Sequence, residues 1–329
     1  MKSTTISVGE LARALPRTPL AVLPTPLVPA PRLAEALGTG PLLVKRDDLT
    51  GFAFGGNKAR LLEFLVAAAA ADGADTLLTG GAAGSNFCAA AAAAARRSGL
   101  ACELVIAGRP APPGPALALA RSWGATVRWT GVPERDSVDA ALRAVARELT
   151  AAGRRPYPIP RGGATGLGAV GYALAAAELH AQLNGQGDVT VLVPTGSGGT
   201  LAGLVAGHVL LGRPWTLLGG SASRPPQAAA RQVLSLARDC LRLLGAGTEA
   251  GTEPGPADVT VVDARGPGHG LPSPDGLAAA ERAMRTEGLM LDPVYTAKAL
   301  ALAPRGRPVV FWHTGGVLDA VAAAQEGSS

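Results

Sequence analysis

The sequence predicts an α/β protein of two lobes, with a parallel sheet in each. Three observations lead there. Short apolar runs alternate with helical patterns along most of the chain, and β-α-β-α alternation implies parallel strands. The composition is rich in alanine and glycine (44 glycines) and has only 4% aromatic residues, which suits close packing of helices against a sheet. The 329 residues suffice for two substantial cores.

The first forty residues are rich in proline and leucine and are expected to wrap over a lobe. Val44 opens the segment around Lys58. Residues 60–71 read as a helix whose apolar face carries Leu61, Leu62, Leu65 and Val66. A buried strand is expected at 75–79, then a helix at 85–97 capped by Ser85 or Asn86. Strands at 102–106 and 126–129 alternate with helices at 115–123 and 137–151. The Pro/Gly-rich stretch 156–163 reads as a crossing between lobes. A helix at 167–183, a buried strand at 189–193 and a further helix follow. A strand ends at 217–219, and 224–244 is helical. Residues 245–256 form a Gly/Glu/Thr/Pro loop. The last strands are expected at 259–262 and 308–312, with helices starting near Ser273 and Tyr295. No repeat of fixed period is present.

The net charge of +5 comes largely from scattered arginines, with no Lys/Arg block interleaved with aromatics, so nucleic acid is not expected as a partner. Cys88, Cys102 and Cys240 are an odd set without paired spacing. They read as small buried residues in a reducing compartment. The start of the chain lacks a charged segment followed by an apolar one, and the alanine run 67–71 is too short to span a bilayer. A soluble, cytoplasmic protein without a membrane partner is expected. His180, His208 and His313 lack metal-ligand spacing, so no metal site is expected. No Gly-x-Ser-x-Gly elbow or paired-carboxylate arrangement stands out.

Lys58 carries the chemistry. It follows Gly55, Gly56 and Asn57 and opens an apolar helical run. A lysine at a helix start, in apolar surroundings, is disfavoured as ammonium and suited to act as a reactive amine. A second segment, Thr195 to Thr200, follows a strand and opens a helix. Its Gly196, Ser197, Gly198, Gly199 and Thr200 can turn backbone N–H groups toward a phosphate, although an ordinary tight turn has the same composition. The Gly-x-Gly-x-x-Gly spacing and following acid of a dinucleotide site are missing. A third segment, Gly80 to Asn86, is another glycine-rich turn between strand and helix.

These segments, with 266–295 and 312–316, occur in the order found in the pyridoxal-phosphate (PLP) enzymes related to D-cysteine desulfhydrase and 1-aminocyclopropane-1-carboxylate (ACC) deaminase. The chain resembles that family from about Leu20 onward. The resemblance implies the tryptophan-synthase-β-like fold, PLP as cofactor, a small amino acid as substrate and a homodimer. It also implies a large domain formed by 1–58 and 166–329, with 59–165 inserted as a small domain. Lys58 would hold PLP as a Schiff base and, once freed, take the Cα proton, while Ser85 would assist that transfer or bind the substrate carboxylate. Asn86 would bond the ring oxygen. Tyr295 and His269 would manage the leaving group or orient the substrate, and Thr314, with Thr296 as rival, would lie near the ring nitrogen. ACC deaminases carry glutamate where this chain has Thr296, which favours the desulfhydrase side. Three departures stand in the pocket: His269 replaces a tyrosine, Phe87 a polar residue, and Leu61 a lysine. His269 could act as an acid or base with a pKa nearer neutrality, or could simply cap a turn. The implied activity is α,β-elimination giving an α-keto acid and ammonia. The departures also admit a diverged enzyme, either an ACC-type ring-opening deaminase or a β-substitution enzyme. A PLP-binding protein without turnover is a third reading.

Overall fold

A computed structural model describes residues 8–246 and 252–326. Helix α1 (Val8–Ala12), strand β1 (Leu27–Pro29), α2 (Pro31–Leu37) and β2 (Leu42–Arg46) precede the lysine segment. Then α3 (Lys58–Ala71), β3 (Thr76–Gly81), α4 (Asn86–Arg97), β4 (Ala101–Ile106) and α5 (Pro115–Ser122) alternate, followed by β5 (Ala125–Trp129), α6 (Ser137–Ala151) and β6 (Pro156–Pro158). The chain continues through α7 (Gly166–Leu183), β7 (Thr190–Thr195), α8 (Gly199–Leu210), β8 (Thr216–Ser221), α9 (Pro226–Leu243) and β9 (Thr260–Asp263). It closes with α10 (Pro274–Glu287), α11 (Thr296–Leu300), β10 (Val309–His313) and α12 (Val317–Glu326).

The strands form two sheets, in the orders β1-β2-β10-β7-β8-β9 and β5-β4-β3-β6. The smaller sheet is parallel throughout. The larger is parallel except for β1, which pairs antiparallel with β2. Burial on both faces explains the continuous apolar runs: all six residues of β3 and all six of β7 are buried. Small residues set how closely the helices approach. A Cβ added at Gly203 in α8 would lie 2.1 Å from the carbonyl oxygen of Ala169 in α7, and one at Gly207 would lie 2.4 Å from Ala176 Cβ.

The structure corrects the reading of the chain in several places. The stretch 156–163 is more than a crossing, because β6 pairs with β3 as the fourth strand of the smaller sheet. Pro156 and Pro158 lack N–H donors, so this strand can only stand at an edge. The first forty residues contribute a real strand, β1. The helix expected to start near Tyr295 does so, as the short α11 with Tyr295 at its N-cap. Of the loop at 245–256, residues 247–251 lie outside the described residues. The three cysteines are buried and unpaired, and burial pushes the Cys88 thiol up to about 11. Among the described residues no helix is long and apolar enough to cross a membrane.

A buried ionic cluster joins the lysine helix to the larger sheet. Arg60 in α3 donates Nε and Nη2 to Asp47 (3.0 and 2.9 Å) and Nη1 and Nη2 to Glu178 in α7 (3.1 and 3.0 Å). Lys45 of β2 bonds Glu178, Gln182 Oε1 and the carbonyl of Thr25. Tyr172 donates its hydroxyl to Asp47 at 2.5 Å. Burial alone would raise the Asp47 carboxyl; the Arg60 guanidinium outweighs it and holds that carboxyl below the usual carboxylate range.

Removing one partner of such a cluster strands the others without compensation. Arg60→Met leaves Asp47 and Glu178 facing a single lysine. Its unfolding free energy, measured by urea titration, should fall by about 3–5 kcal/mol. Wild-type stability in that variant would show that the cluster does not hold α3 in place.

Candidate active site

The ends of β3, β7 and β10 point toward one cleft of about 710 Å³. Its walls come from the segments that follow those ends, where ligands commonly bind in open parallel sheets. Residues from both sheets therefore meet there.

Lys58 is the first residue of α3, as the sequence predicts. The turn before it depends on glycine. Gly55 and Gly56 have φ of 79° and 100°, and a Cβ at Gly55 would lie 2.0 Å from the carbonyl oxygen of Asp48. Asn57 ties the turn down: its N–H donates to the Thr314 carbonyl (2.9 Å) and its Nδ2 to Thr200 Oγ1 (2.8 Å). The Lys58 amine has no counter-ion among the described residues, and burial brings its pKa down to about 8.

The glycine-rich turn after β7 lines the cleft with Gly196 and Ser197. It also forms the wall of a small adjoining cavity with Asn57, Lys58 and residues 198–201. Gly198 has φ of 98°. Among the described residues, the N–H groups of Ser197, Gly198, Gly199 and Thr200 donate to no acceptor. These are the free donors of a helix start. Leu61 is buried against this turn, and a Cβ at Gly199 would lie 3.0 Å from its Cδ2.

Ser85 and Asn86 begin α4. The Ser85 hydroxyl caps the helix by accepting from the Cys88 N–H (3.3 Å), and the same residue lines the cleft. Asn86 donates Nδ2 to Asp319 (2.9 Å), while its buried Oδ1 has no partner. Burial, with Asp292 nearby, pushes the Asp319 carboxyl up to about 6. Phe87 is fully buried against Gly163, where a Cβ would lie 2.5 Å from its ring.

Across the cleft, His269 Nε2 and the Tyr295 hydroxyl are 3.1 Å apart. Burial raises the Tyr295 phenol to about 12. Burial, aided by Arg135, Lys298 and Arg224, lowers His269 to about 4, so it does not titrate near neutrality. Either group can donate in this bond, according to the tautomer. Gly196 must be glycine to admit Tyr295, because a Cβ there would lie 2.9 Å from the ring.

The structure separates the two threonines. Thr314 lines the cleft. Thr296 is fully buried and does not line it; its hydroxyl donates to the Asp292 carboxylate at 2.5 Å. Asp292, one of the cleft's wall residues, also accepts from the N–H groups of Val294, Tyr295 and Thr296 (3.0, 2.7 and 3.0 Å). Asp292, Asp319, Arg135 and Arg224 all reach the cleft without having been singled out as site residues. His313 is core: Nε2–H donates to the Met290 carbonyl (2.9 Å), and Nδ1 accepts from the Gly315 N–H.

The chain belongs to the pyridoxal-phosphate dependent enzyme family, whose profile matches residues 18–315. Within it, the chain is 37% identical over 327 residues to a D-cysteine desulfhydrase of Klebsiella pneumoniae (strain 342), covering 94% of this chain and 97% of that one. It is 38% identical over 319 residues to a D-cysteine desulfhydrase of Salmonella paratyphi C (strain RKS4594), covering 92% and 94%. Its fold superposes on a crystal structure of an ACC deaminase homologue with a TM-score of 0.87, at 30% identity, over 97% of this chain and 98% of that one. A maize serine racemase shares the fold with a TM-score of 0.64 at 18% identity, over 92% of this chain and 91% of that one.

The residues present suit pyridoxal phosphate. An unpaired amine, an orphaned Asn86 Oδ1 and a row of free N–H groups beside it are the complement of an aldehyde, a ring and a phosphate. Stripped of cofactor and mixed with it again, the protein should develop its visible band faster as pH rises toward about 8 and level off above, because only neutral Lys58 is nucleophilic. A rate flat across that range would show that the Lys58 amine is not the titrating group.

Proposed function

We propose that the chain is a lyase that performs α,β-elimination on a small amino acid, releasing an α-keto acid and ammonia. The observation that carries this reading is the unpaired, depressed amine of Lys58 in one cleft with Ser85 and the His269–Tyr295 pair. The D-cysteine desulfhydrase relatives support the reaction class.

Bound pyridoxal phosphate supplies the carbonyl that captures the substrate amine and the ring that takes up the Cα electrons. The chain's own residues do the rest. Lys58 Nζ holds the cofactor and, when released, accepts the Cα proton, with the Ser85 hydroxyl beside that path. The free N–H groups of 197–200 take the phosphate. Leu61 puts no cation under that turn, so the phosphate rests on backbone donors and the helix start. Asn86 would bond the ring oxygen and Thr314 would lie near the ring nitrogen, both from the wall of the cleft. A neutral hydroxyl at that nitrogen holds a proton less firmly than a carboxylate, which suits rapid loss of a β-substituent. Thr296 acts one step back, by fixing Asp292. The Tyr295 hydroxyl and its partner His269 are both neutral at rest; the hydroxyl can give its proton to the leaving group, and the phenolate so formed regains a proton from solvent before the next turnover.

The proposal includes a soluble cytoplasmic homodimer, in keeping with three buried, unpaired cysteines and with the family resemblance. It also includes the division into 1–58 with 166–329 and 59–165. Strands of the four-stranded sheet all fall between Thr76 and Pro158, and those of the six-stranded sheet fall outside. Phe87 and His269 favour a second reading, a diverged enzyme with a different amino acid as native substrate.

Titration of the purified protein with D-cysteine, L-cysteine, D-serine and ACC, with keto acid assayed in the same samples, separates the two. Band shift and turnover with D-cysteine support the first reading, whereas a band that none of them moves supports the second. Lys58→Ala should abolish both band and turnover; a variant that kept them would overturn the mechanism. Tyr295→Phe should lower kcat by about 10²–10⁴-fold with a smaller change in KM. Unaltered kcat would remove the phenol from the proton path.

A further inference from the structure

Three guanidinium groups line the cleft, and they are held differently. Arg161 is neutralised by Asp136 (3.0 Å) and Asp139 (2.7 Å). Arg224, in the loop after β8, donates Nη1 to the Gly196 carbonyl (3.0 Å) and has no carboxylate partner among the described residues. The guanidinium of Arg135, just before α6, makes no hydrogen bond or ion pair among the described residues; only its backbone carbonyl is engaged, by the Val138 N–H (3.3 Å). Both are half-buried. Arg135 belongs to the smaller sheet's connections and Arg224 to the larger sheet's, and both line the one cleft. Their charges reach the same place: the field that lowers His269 comes from Arg135 and Arg224 as well as from Lys298 and burial. Arg224 is itself lowered, first by burial and then by Arg135 and Arg161. Asp136 and Asp139 offset part of this, but both carboxylates are paired with Arg161 and neither is within ion-pair distance of Arg224 or Arg135. Half-buried cations that share a cleft without a paired carboxylate are completed by an anion.

The known anions of the site do not occupy this position. The cavity bounded by Gly198, Gly199 and Thr200, suited to the cofactor phosphate, has neither arginine in its wall. The family resemblance would put the substrate's α-carboxylate at the start of α4, where Ser85 lines the cleft. Asp292 and Asp319 are engaged by backbone N–H groups, Thr296 and Asn86. The arginines lie instead beside the His269–Tyr295 pair, where the proposed mechanism puts the leaving group.

We propose that Arg135 and Arg224 form an anion subsite for the β-substituent, so that the substrate class is an amino acid whose leaving group is an oxyanion, such as a sulfonate or a phosphate ester. This rests on the lyase reading above. A β-carboxylate would bind there but could not leave. For a β-sulfonate, the Cα–H bond breaks with its proton passing to Lys58 Nζ. The Cβ–S bond breaks with its electron pair leaving on sulfur as sulfite. Water then converts the released unsaturated amine to α-keto acid and ammonium. For a phosphate ester the Cβ–O bond breaks and phosphate leaves. No oxidant or reductant is needed. Arginine suits the task because its planar fork pairs two oxyanion oxygens at once.

The test uses the holoenzyme with D- and L-cysteate and D- and L-O-phosphoserine, against D-cysteine and β-chloroalanine as uncharged controls. Keto acid is assayed with released sulfite or phosphate. At least one oxyanionic substrate should exceed the controls in kcat/KM. Arg135→Gln and Arg224→Gln should each lower kcat/KM for it by about tenfold to a hundredfold more than for D-cysteine, mostly through KM. Equal losses on charged and uncharged substrates would assign the arginines to the α-carboxylate and overturn the proposal. Loss of the cofactor band in the variants would assign them to the phosphate and overturn it too. Turnover of D-cysteine with no turnover or inhibition by any oxyanionic amino acid would overturn the subsite and leave the lyase reading standing. A protein that turns over no amino acid would overturn the lyase reading. The subsite would then stand only if Arg135→Gln weakens the band shift caused by the oxyanionic amino acids, and a shift that is absent or unaltered would overturn it.

Discussion

The position of Lys58 rests on the ion cluster two residues away. Arg60 lies one helical step beyond the lysine and is locked to Asp47 and Glu178 with Tyr172 behind. Asp47 belongs to the segment leaving β2, and Glu178 to the helix across the core. The segment after β2 and helix α7, more than a hundred residues apart in sequence, are thus fixed to one guanidinium on α3. A buried cluster of this kind adds little net stability over a well-packed apolar one, but it tolerates no change of register. That rigidity lets the next requirement be met: an amine with no partner of its own, held in an apolar setting where its charge is disfavoured.

Small residues extend the same constraint outward. Gly171 in α7 would place a Cβ 2.1 Å from the Arg60 carbonyl, so the lysine helix and α7 can meet only at a glycine. Gly203 and Gly207 repeat the pattern between α7 and α8. Helices this close bring the start of α8, with its free N–H groups, beside the start of α3. The Asn57–Thr200 bond joins the two starts directly. The abundance of alanine and glycine is therefore the condition for placing an amine and an anion cradle side by side.

Much of this was legible in the chain. The glycines before Lys58, the turn at 195–200 and the caps at Ser85 and Ser273 are local signals, and each marks a helix start. The alternation of apolar runs fixed the parallel sheets because doubly buried strands leave a continuous trace. What escaped was set by tertiary packing. β6 is written in prolines and reads as a linker until β3 is beside it. Thr296 resembles a ligand in sequence, yet its hydroxyl is spent on Asp292, whereas Thr314 reaches the cleft. Arg135 and Arg224 carry no motif at all, since an arginine in a loop is ordinary and only the fold shows that these two line one cleft.

The distribution of charge ties these points together. At Leu61, where relatives are expected to carry a lysine, this chain has an apolar contact beneath Gly199, so the floor of the anion cradle is uncharged. Positive charge is found instead on the Arg135 and Arg224 side chains that line the cleft, Arg224 being held by the Gly196 carbonyl. His269 is consistent with that shift. An imidazole pushed down to about 4 stays neutral among cations and can still exchange a proton with Tyr295. A phenol there would offer no second nitrogen, and a carboxylate would cancel the field of the arginines. Apolar floor, cationic wall and neutral histidine are mutually compatible. Under the proposed function they would move the electrostatic attraction of the cleft from the phosphate, which backbone donors can hold, toward the side chain of the substrate.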